Sequence, residues 1–204
     1  MSKNPNCIAL IMDGNRRWAN NRSMPSIAGH KAGVKALKRV IISCVERRIN
    51  NLVFFAFSTE NWSRSPIEVD GLLKLLERFL KSEIVELKKE NISIKFIGDK
   101  NSFSKKISNL LTYSEKLTED NNGLNLFICI NYGGKQDILH STTSIAKKIK
   151  NNTINIDEIN EKLIKDNLLS FSVPDIDLLI RTSGEKRISN FMIWQLLYSE
   201  MYFT

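Results

Sequence analysis

The sequence predicts an α/β fold: a single domain in which a central, mostly parallel sheet is flanked by helices. Short runs of consecutive apolar residues alternate along the chain with longer segments whose apolar residues recur at helical spacing. Unbroken apolar runs are typical of strands buried on both faces, and their alternation with helices is typical of a parallel sheet. The 204 residues are enough for a full core, so we expect residues 1–204 to form one domain.

The predicted strands and helices follow one another with short connections. The apolar runs place strands at residues 8–12, 52–57, 92–97, 124–130 and 178–180. Helical spacing places helices at residues 30–48, 67–90, 105–119, 135–150, 157–169 and 191–198. Pro66 is a favoured first residue of a helix and supports the start of the longest one.

The predicted helix at residues 67–90 has a wide apolar face. Its apolar residues cover about half of the helical circumference, more than the usual stripe of a surface helix. One interpretation is a helix that packs on the sheet and is touched by a neighbouring element. The other is a helix with one edge on the core and another edge lining an apolar cavity. Periodicity alone favours the first.

Composition indicates the class of partner and the cellular compartment of the protein. The 30 basic and 22 acidic residues give a net charge of +8, which indicates an anionic partner: nucleic acid, a phosphorylated small molecule or an anionic membrane surface. The chain shows no signal-peptide pattern, and no apolar run reaches the length of a membrane span. Cys7, Cys44 and Cys129 are isolated and are expected to be buried, reduced thiols. We therefore expect a cytoplasmic protein.

A group of polar residues directly follows the first predicted strand. Asp13 is followed by Gly14 and Asn15, and then by Arg16 and Arg17. An open α/β sheet binds its ligand at the carboxyl ends of its strands. One carboxylate beside two guanidinium groups suits a metal-bound diphosphate, with the acid on the cation and the arginines on phosphate oxygens. A solvated basic turn explains the same residues equally well.

Polar residues also follow other predicted strands or start a helix. They are His30, Ser58, Glu60, Asn61, Trp62, Arg64, Glu68, Arg181, Arg187 and Ser189. Each alone is explained as a cap, a turn or a packing residue, but their common position at strand ends favours a shared site. The patterns GxGxxG, CxxC, HExxH and GxSxG are absent, and the P-loop spacing is not met.

Five collinear motifs resemble those of the cis-prenyltransferases, most closely the bacterial undecaprenyl diphosphate synthases. They are MDGNRRWA, GHKAG, AFSTENWSR, NYGG and IRTSGEKRISN, followed by WQLLYSEMYFT, and the resemblance runs from Ile8 to Thr204. It implies a fold with an apolar tunnel walled by the long helix. It also implies that farnesyl diphosphate is extended by isopentenyl diphosphate with cis double bonds, using Mg2+.

The resemblance further implies a product of the undecaprenyl diphosphate type, the lipid-carrier precursor for bacterial cell-wall synthesis. It implies a homodimer and a transient contact with the inner face of the membrane for product release, with no nucleic-acid partner. Two other hypotheses are a non-catalytic partner subunit and a nucleic-acid-binding module. The first predicts loss of Asp13 or of the arginines near Arg181, all of which are present. The second requires aromatic residues interleaved with basic ones on one surface.

Roles for individual residues follow from the same resemblance. Asp13 and Glu200 are implied as metal ligands, and Asp13, Asn15, Ser58 and Asn61 as catalytic residues. Arg17 and His30, with the amides near Gly14 and Asn15, are implied to bind the allylic diphosphate. Phe57 and Ser58 are placed at the reaction centre, and Asn61, Trp62, Arg64 and Glu68 are implied to order a loop that closes over the substrates. Arg16, Trp18, Thr59 and Glu60 are also expected to bind substrate. Arg181, Arg187 and Ser189 are implied to bind isopentenyl diphosphate.

The chain departs from the family pattern at three places. Ser26 stands where the family usually has Arg, and Arg16 replaces a common Gly. The chain ends at Thr204, where relatives continue, and we expect this to affect dimer contacts. Either Arg16 or Arg22 is expected to supply the charge missing at Ser26, with Arg16 slightly favoured.

Overall fold

The computed structural model describes residues 4–204, and its centre is a six-stranded sheet in which every pairing is parallel. The strands are β1 (Cys7–Ile11), β2 (Asn51–Ser58), β3 (Ser93–Ile97), β4 (Asn125–Tyr132), β5 (Leu178–Arg181) and β6 (Glu200–Phe203). Their order across the sheet is β3-β4-β2-β1-β5-β6. The helices are α1 (Asn15–Asn20), α2 (Ser26–Glu46), α3 (Pro66–Lys89), α4 (Lys105–Leu117), α5 (Gly134–Lys150) and α6 (Glu161–Asp166).

Alternate residues of the central strands enter two separate cores. Leu52 and Leu126 belong to the core between the sheet and α2, α3 and α4. Val53 and Phe127, their neighbours in sequence, belong to the core on the other face, under residues 173–196. Successive side chains of a strand point to opposite faces, so a strand buried on both faces needs apolar residues at every position. This explains the unbroken apolar runs of the sequence.

The structure confirms the fold class and the five predicted strands, with shifts of a few residues at their ends. Two helix predictions need correction. The predicted helix at 157–169 is divided into a 3₁₀ turn, Ile156–Glu158, and the short helix α6. The predicted helix at 191–198 is wrong, because these residues form turns. Met192 has a positive φ, which interrupts a helix, and Phe191 and Leu196 are buried in the second core.

Two elements were not expected from the sequence. α1 has only six residues, and β6 only four, most of them exposed. Helical or alternating patterns over so few residues are too short to identify. α2 also begins four residues before its predicted start, directly after Pro25.

The three cysteines of the chain, Cys7, Cys44 and Cys129, are buried and form no disulfide. Burial raises the pKa of the Cys7 thiol to about 12 and that of Cys44 to about 11, so both are inert thiols at neutral pH. Between residues 4 and 204, no helix combines the length and apolarity needed to cross a membrane.

Close packing of α1 on α2 explains the glycines of the GHKAG motif. A Cβ added at Gly29 would lie 1.8 Å from the carbonyl oxygen of Asn15, and one added at Gly33 would lie 2.6 Å from Asn15 Oδ1. Only glycine therefore allows α1 to sit against α2 at this distance. The position of the DGNRRW turn consequently depends on residues about 15 positions later in the chain.

We expect Gly29→Ala to lower the free energy of unfolding by about 1–3 kcal/mol, because the added methyl group meets backbone that must move. Gly71→Ala is the matched control: its Cβ would meet only Ile27 Cδ1, at 3.3 Å, and α3 gains from the better helix former. Urea unfolding of both variants measures the difference. Equal stability of the two variants would contradict the proposed packing constraint.

Candidate active site

The carboxyl ends of β1, β2 and β5 open on a cavity of about 360 Å³. Its polar residues come from strand ends and the segments that follow them: Asp13, Asn15, His30, Ser58, Asn61, Arg64, Arg181, Arg187 and Ser189. Its apolar residues come mainly from α2, α3 and the middle of β2 and β4: Val34, Leu37, Phe54, Leu72, Leu73, Leu75, Leu76, Phe79 and Ile128. The long helix α3 therefore lines an apolar cavity, the alternative that periodicity alone did not favour.

A second, polar cavity of about 430 Å³ adjoins the first. The two share Met12, Asp13, Asn15, His30 and Arg64. The second cavity adds Gly14, Arg16, Arg17, Asn20 and Glu68. Its lining contains three arginines and two acids, and this formal net positive charge suits an anionic ligand.

Asp13 and Arg181 form an ion pair between the ends of neighbouring strands. Arg181 Nη2 donates to Asp13 Oδ2 at 2.8 Å, while Asp13 Oδ1 accepts from the Gly14 amide at 2.7 Å. The Arg181 side chain is only 2% exposed, and its Nη1 donates to Ser189 Oγ at 2.7 Å and to the carbonyl of Arg187. Partial burial raises the pKa of Asp13, but the hydrogen bonds from Arg181 and Gly14 and the Arg181 charge outweigh this and lower it. Asp13 is therefore an anion at neutral pH.

Glu185 links the arginines of two different segments. Its carboxylate accepts from Arg17 at 3.1 Å and from Arg187. Arg17 also reaches Ser183 Oγ at 3.3 Å. The hydrogen bond and charge of Arg187, followed by those of Arg17, lower the pKa of Glu185. A single ionised carboxylate therefore holds the two guanidinium groups at the site.

His30 lines both cavities and lies in the first turns of α2. Burial lowers its pKa, and the Arg64 charge lowers it further against the opposing effect of Glu68, so its imidazole is neutral at neutral pH. His30 Nε2 is buried, and within residues 4–204 no group hydrogen-bonds to it. A buried polar atom without a partner in a cavity lined by arginines is suited to a phosphate oxygen.

The loop after β2 is held in a compact 3₁₀ turn, Thr59–Ser63. Asn61 Oδ1 accepts from the Ser58 amide at 3.0 Å and caps the turn. Trp62 Nε1 donates to Asn131 Oδ1 at 2.8 Å, and its ring packs 5.0 Å from that of Phe57. Arg64 pairs with Glu68 at 2.8 Å. These contacts fix a loop that places Ser58, Asn61 and Arg64 at the cavity.

Most of the predicted site residues are brought together, but five do not line either cavity: Trp18, Thr59, Glu60, Trp62 and Glu200. The guanidinium carbon of Arg22 lies over the Trp18 ring, 4.3 Å from the ring centroid. Trp62 anchors its loop instead of facing the cavity, and Glu60 accepts a hydrogen bond from Asn190 at 2.8 Å. The binding of substrate by Trp18, Thr59, Glu60 and Trp62 therefore stays a prediction, since all four lie outside both cavities.

Glu200 lies at the opposite end of the sheet from Asp13. It pairs with Leu178 in β5, and Leu178 pairs with Ile8 near the start of β1. Asp13 is five residues beyond Ile8, a distance of about 16 Å along an extended strand. One chain therefore does not bring the two predicted metal ligands together.

Sequence reasoning missed Glu185 and Asn190 as members of the site. Glu185 lies between Arg181 and Arg187, and an acid in such a basic segment signals ion pairing. Asn190 offers no comparable signal, because its partners lie 54 and 130 positions away in sequence.

Comparison with known proteins shows the family of the chain. Residues 11–204 match the family described as "Putative undecaprenyl diphosphate synthase". The chain belongs to this family. Relatives include a ditrans,polycis-undecaprenyl-diphosphate synthase ((2E,6E)-farnesyl-diphosphate specific) of Vibrio parahaemolyticus, 44% identical over 98% of this chain and 80% of that protein. The isoprenyl transferase of Bacillus subtilis is 44% identical over 98% of this chain and 77% of that protein.

Two solved structures have the same fold as this chain. Lavandulyl diphosphate synthase from Lavandula x intermedia, in complex with dimethylallyl diphosphate, gives a TM-score of 0.95 at 36% identity over 98% of this chain and 86% of that chain. A probable undecaprenyl diphosphate synthase from Campylobacter jejuni gives 0.80 at 32% identity over 99% and 86%. The predicted resemblance is thereby confirmed, and the chain is a prenyltransferase of this family.

Proposed function

We propose that this chain condenses isopentenyl diphosphate units onto farnesyl diphosphate with cis double bonds, giving a long polyprenyl diphosphate of the undecaprenyl type. The observation that carries the proposal is the junction of two cavities at the carboxyl ends of the strands. One is lined by arginines and a neutral histidine, and the other continues into an apolar interior. A molecule with an anionic head and a growing hydrocarbon tail matches that combination.

The residues divide into two diphosphate sites. Arg16, Arg17 and His30, in the second cavity, would hold the allylic diphosphate. Arg181, Arg187 and Ser189, which line the first cavity, would hold isopentenyl diphosphate. Arginine forks onto phosphate oxygens through charge-assisted hydrogen bonds.

In the reaction, the allylic C–O bond breaks and diphosphate leaves with the bonding electron pair. The double bond of isopentenyl diphosphate forms the new C–C bond at the allylic carbon, and loss of one proton restores a double bond. Arg17, which Glu185 holds in place before the reaction, stabilises the charge that develops on the leaving allylic diphosphate. The apolar residues of α3 receive the lengthening chain and exclude water from the carbocation-like centre.

We also propose that magnesium binds together with a substrate diphosphate. Mg2+ is commonly bound by one or two carboxylates plus phosphate oxygens and water. Asp13 supplies such a carboxylate and lines both cavities, whereas Glu68, the other acid at the site, lines only the second. Among the residues that the structure describes, no three His, Cys, Asp or Glu side chains are grouped to hold a metal. When bound, the cation would neutralise charge on the departing diphosphate.

The test of the function is incubation with farnesyl diphosphate, labelled isopentenyl diphosphate and magnesium, followed by chain-length measurement of the product. Asp13→Asn should lower kcat by at least about 100-fold, because it removes the carboxylate and keeps an acceptor for Arg181. Asp13→Ala should lose as much activity and also unfold more easily, since the buried guanidinium then loses that hydrogen bond. Near wild-type kcat in Asp13→Asn would refute the role of Asp13.

The charge missing at Ser26 is proposed to come from Arg16 and not from Arg22. Arg16 lines the polar cavity, while Arg22 stacks on Trp18 and donates to its carbonyl oxygen at 3.3 Å. Arg16→Gly should raise the KM for farnesyl diphosphate by about 10-fold or more, the value of a charge-assisted hydrogen bond. Arg22→Ala is the matched control and should change that KM by less than about twofold. Adding Ser26→Arg to Arg16→Gly should partly restore it; a larger effect from Arg22→Ala would reverse the assignment.

Product length is expected to respond to α3 residues that line the cavity. Leu76→Trp should shorten the product, because Leu76 lines the apolar interior and the larger side chain fills part of it. Val85→Trp, on an exposed position of the same helix, is the control and should leave product length unchanged. Thin-layer or mass-spectrometric analysis of the products distinguishes the two. Unaltered length in Leu76→Trp would mean that the chain grows elsewhere.

We further propose a homodimer formed around residues 197–202. Leu197 is 72% and Tyr198 94% exposed, and Met201 and Tyr202 are also exposed. They surround β6, the edge strand of the sheet, and such large apolar side chains at an edge indicate an interface. A partner chain would also be the means of bringing Glu200 near a second site.

Contact with an anionic membrane surface during product release is proposed from the +8 charge and the lipid nature of the product.

A further inference from the structure

The side chain of Asn190 joins three segments at the edge of the cavity. Its Oδ1 accepts from the Lys135 amide at 2.8 Å, at the start of α5. Its Nδ2 donates to Glu60 Oε1 at 2.8 Å, in the loop after β2, and to Gln136 Oε1 at 3.2 Å. Its backbone oxygen accepts from the Gly134 amide at 2.7 Å. None of the proposed chemistry uses Asn190, and it lines neither cavity.

The conformation of Asn190 explains why asparagine occupies this position. Its φ is +61°, and that of Ser189 is +50°, in the left-handed region that asparagine tolerates better than most residues. α5 begins after Gly133, which has no side chain to cap the helix. Asn190 therefore supplies the missing capping oxygen from a different segment of the chain.

The residue before Asn190 and the residue after Glu60 both line the cavity. Ser189 precedes Asn190 and accepts the hydrogen bond from the buried Arg181. Glu60 precedes Asn61, which lines the cavity and caps its own turn. Burial raises the pKa of Glu60, but hydrogen bonds, from Asn190 first, lower it below its usual value, so the bond from Asn190 reaches a carboxylate.

We infer that Asn190 is a positioning residue that locks the segment carrying Arg181, Arg187 and Ser189 to the loop carrying Ser58 and Asn61. This inference rests on the proposed function for the identity of the substrate that is affected. The arginine segment is the proposed isopentenyl diphosphate site, so displacing it acts on that substrate more than on the allylic one.

The test is a double-mutant cycle with Asn190→Asp and Glu60→Gln. Asn190→Asp keeps the oxygen that caps α5 but sets a second carboxylate against Glu60. It should raise the KM for isopentenyl diphosphate by about 10-fold or more and the KM for farnesyl diphosphate by about twofold at most. In the Glu60→Gln background, the glutamine amide can donate to the new carboxylate, so the same change should cost less than about twofold. If Asn190→Asp acted only by disturbing packing or the cap of α5, Glu60→Gln would not restore the KM for isopentenyl diphosphate.

A matched control and a second readout complete the experiment. Asn160→Asp makes the same change at another capping asparagine, which accepts from the Leu163 amide at 2.9 Å, and should leave both KM values unchanged. Amide hydrogen exchange in residues 58–65 should be faster in Asn190→Asp and return towards wild type in the double mutant.

Unchanged exchange, or equal effects with and without Glu60→Gln, would overturn the inference. If the wild type makes no polyprenyl product, the proposed function fails while the exchange measurement still tests the positioning role. If Asn190→Asp does not fold, Glu60→Ala removes the same bond from the other side. It should accelerate exchange and raise the KM for isopentenyl diphosphate, and a wild-type result for both would overturn the inference.

Discussion

The ion pair between Asp13 and Arg181 is the interaction on which the arrangement of the site depends. Burying a guanidinium is costly unless a carboxylate and further acceptors surround it, and Arg181 has both. The pair forms because β1 and β5 lie side by side, with Ile11 opposite Arg181. A shift of one residue in that pairing would turn the arginine to the other face of the sheet. The chemistry at the cavity is therefore fixed by strand register before any loop is considered.

The remaining charges at the cavity are held in place by other side chains. Glu185 orients Arg17 and Arg187, Ser189 orients Arg181, and Asn190 fixes the backbone beside Ser189. Groups that are already oriented need little reorganisation when a diphosphate binds or when charge develops on one that leaves, and such preorganisation is the main source of electrostatic catalysis. The network extends across α5 and the loop after β2, so the site is a property of several distant segments.

Features that a local pattern of residues determines could be predicted from the sequence, and features that depend on tertiary contacts could not. The buried strands and the long helices were predictable, since an unbroken apolar run or a helical spacing over many residues is a local pattern. The helix α1 was not, because its position depends on the contact of Asn15 with Gly29, which is tertiary. In residues 191–198 the apolar spacing resembles that of a helix, but Phe191 and Leu196 are apolar because they fill the second core. The left-handed backbone conformation of Met192 prevents a helix there.

The same distinction applies within the site. The arginines and Asp13 were predictable from the motifs that contain them and from their place after strands. The absence of Trp18 and Trp62 from the cavities was not, because the sequence does not show that one ring stacks on Arg22 and the other hydrogen-bonds Asn131. The location of Glu200 required the parallel pairing of β6, a strand too short to recognise beforehand.

Burial of Arg181 also constrains how this sequence can diverge. A descendant that lost Asp13 would keep a buried cation whose countercharge is gone, at a cost to the folded state whether or not any reaction still took place. Selection on folding alone would then favour loss of Arg181 as well. The two positions should therefore change together in lineages that abandon catalysis, and a homologue retaining the arginine alone should carry a new acid close to it.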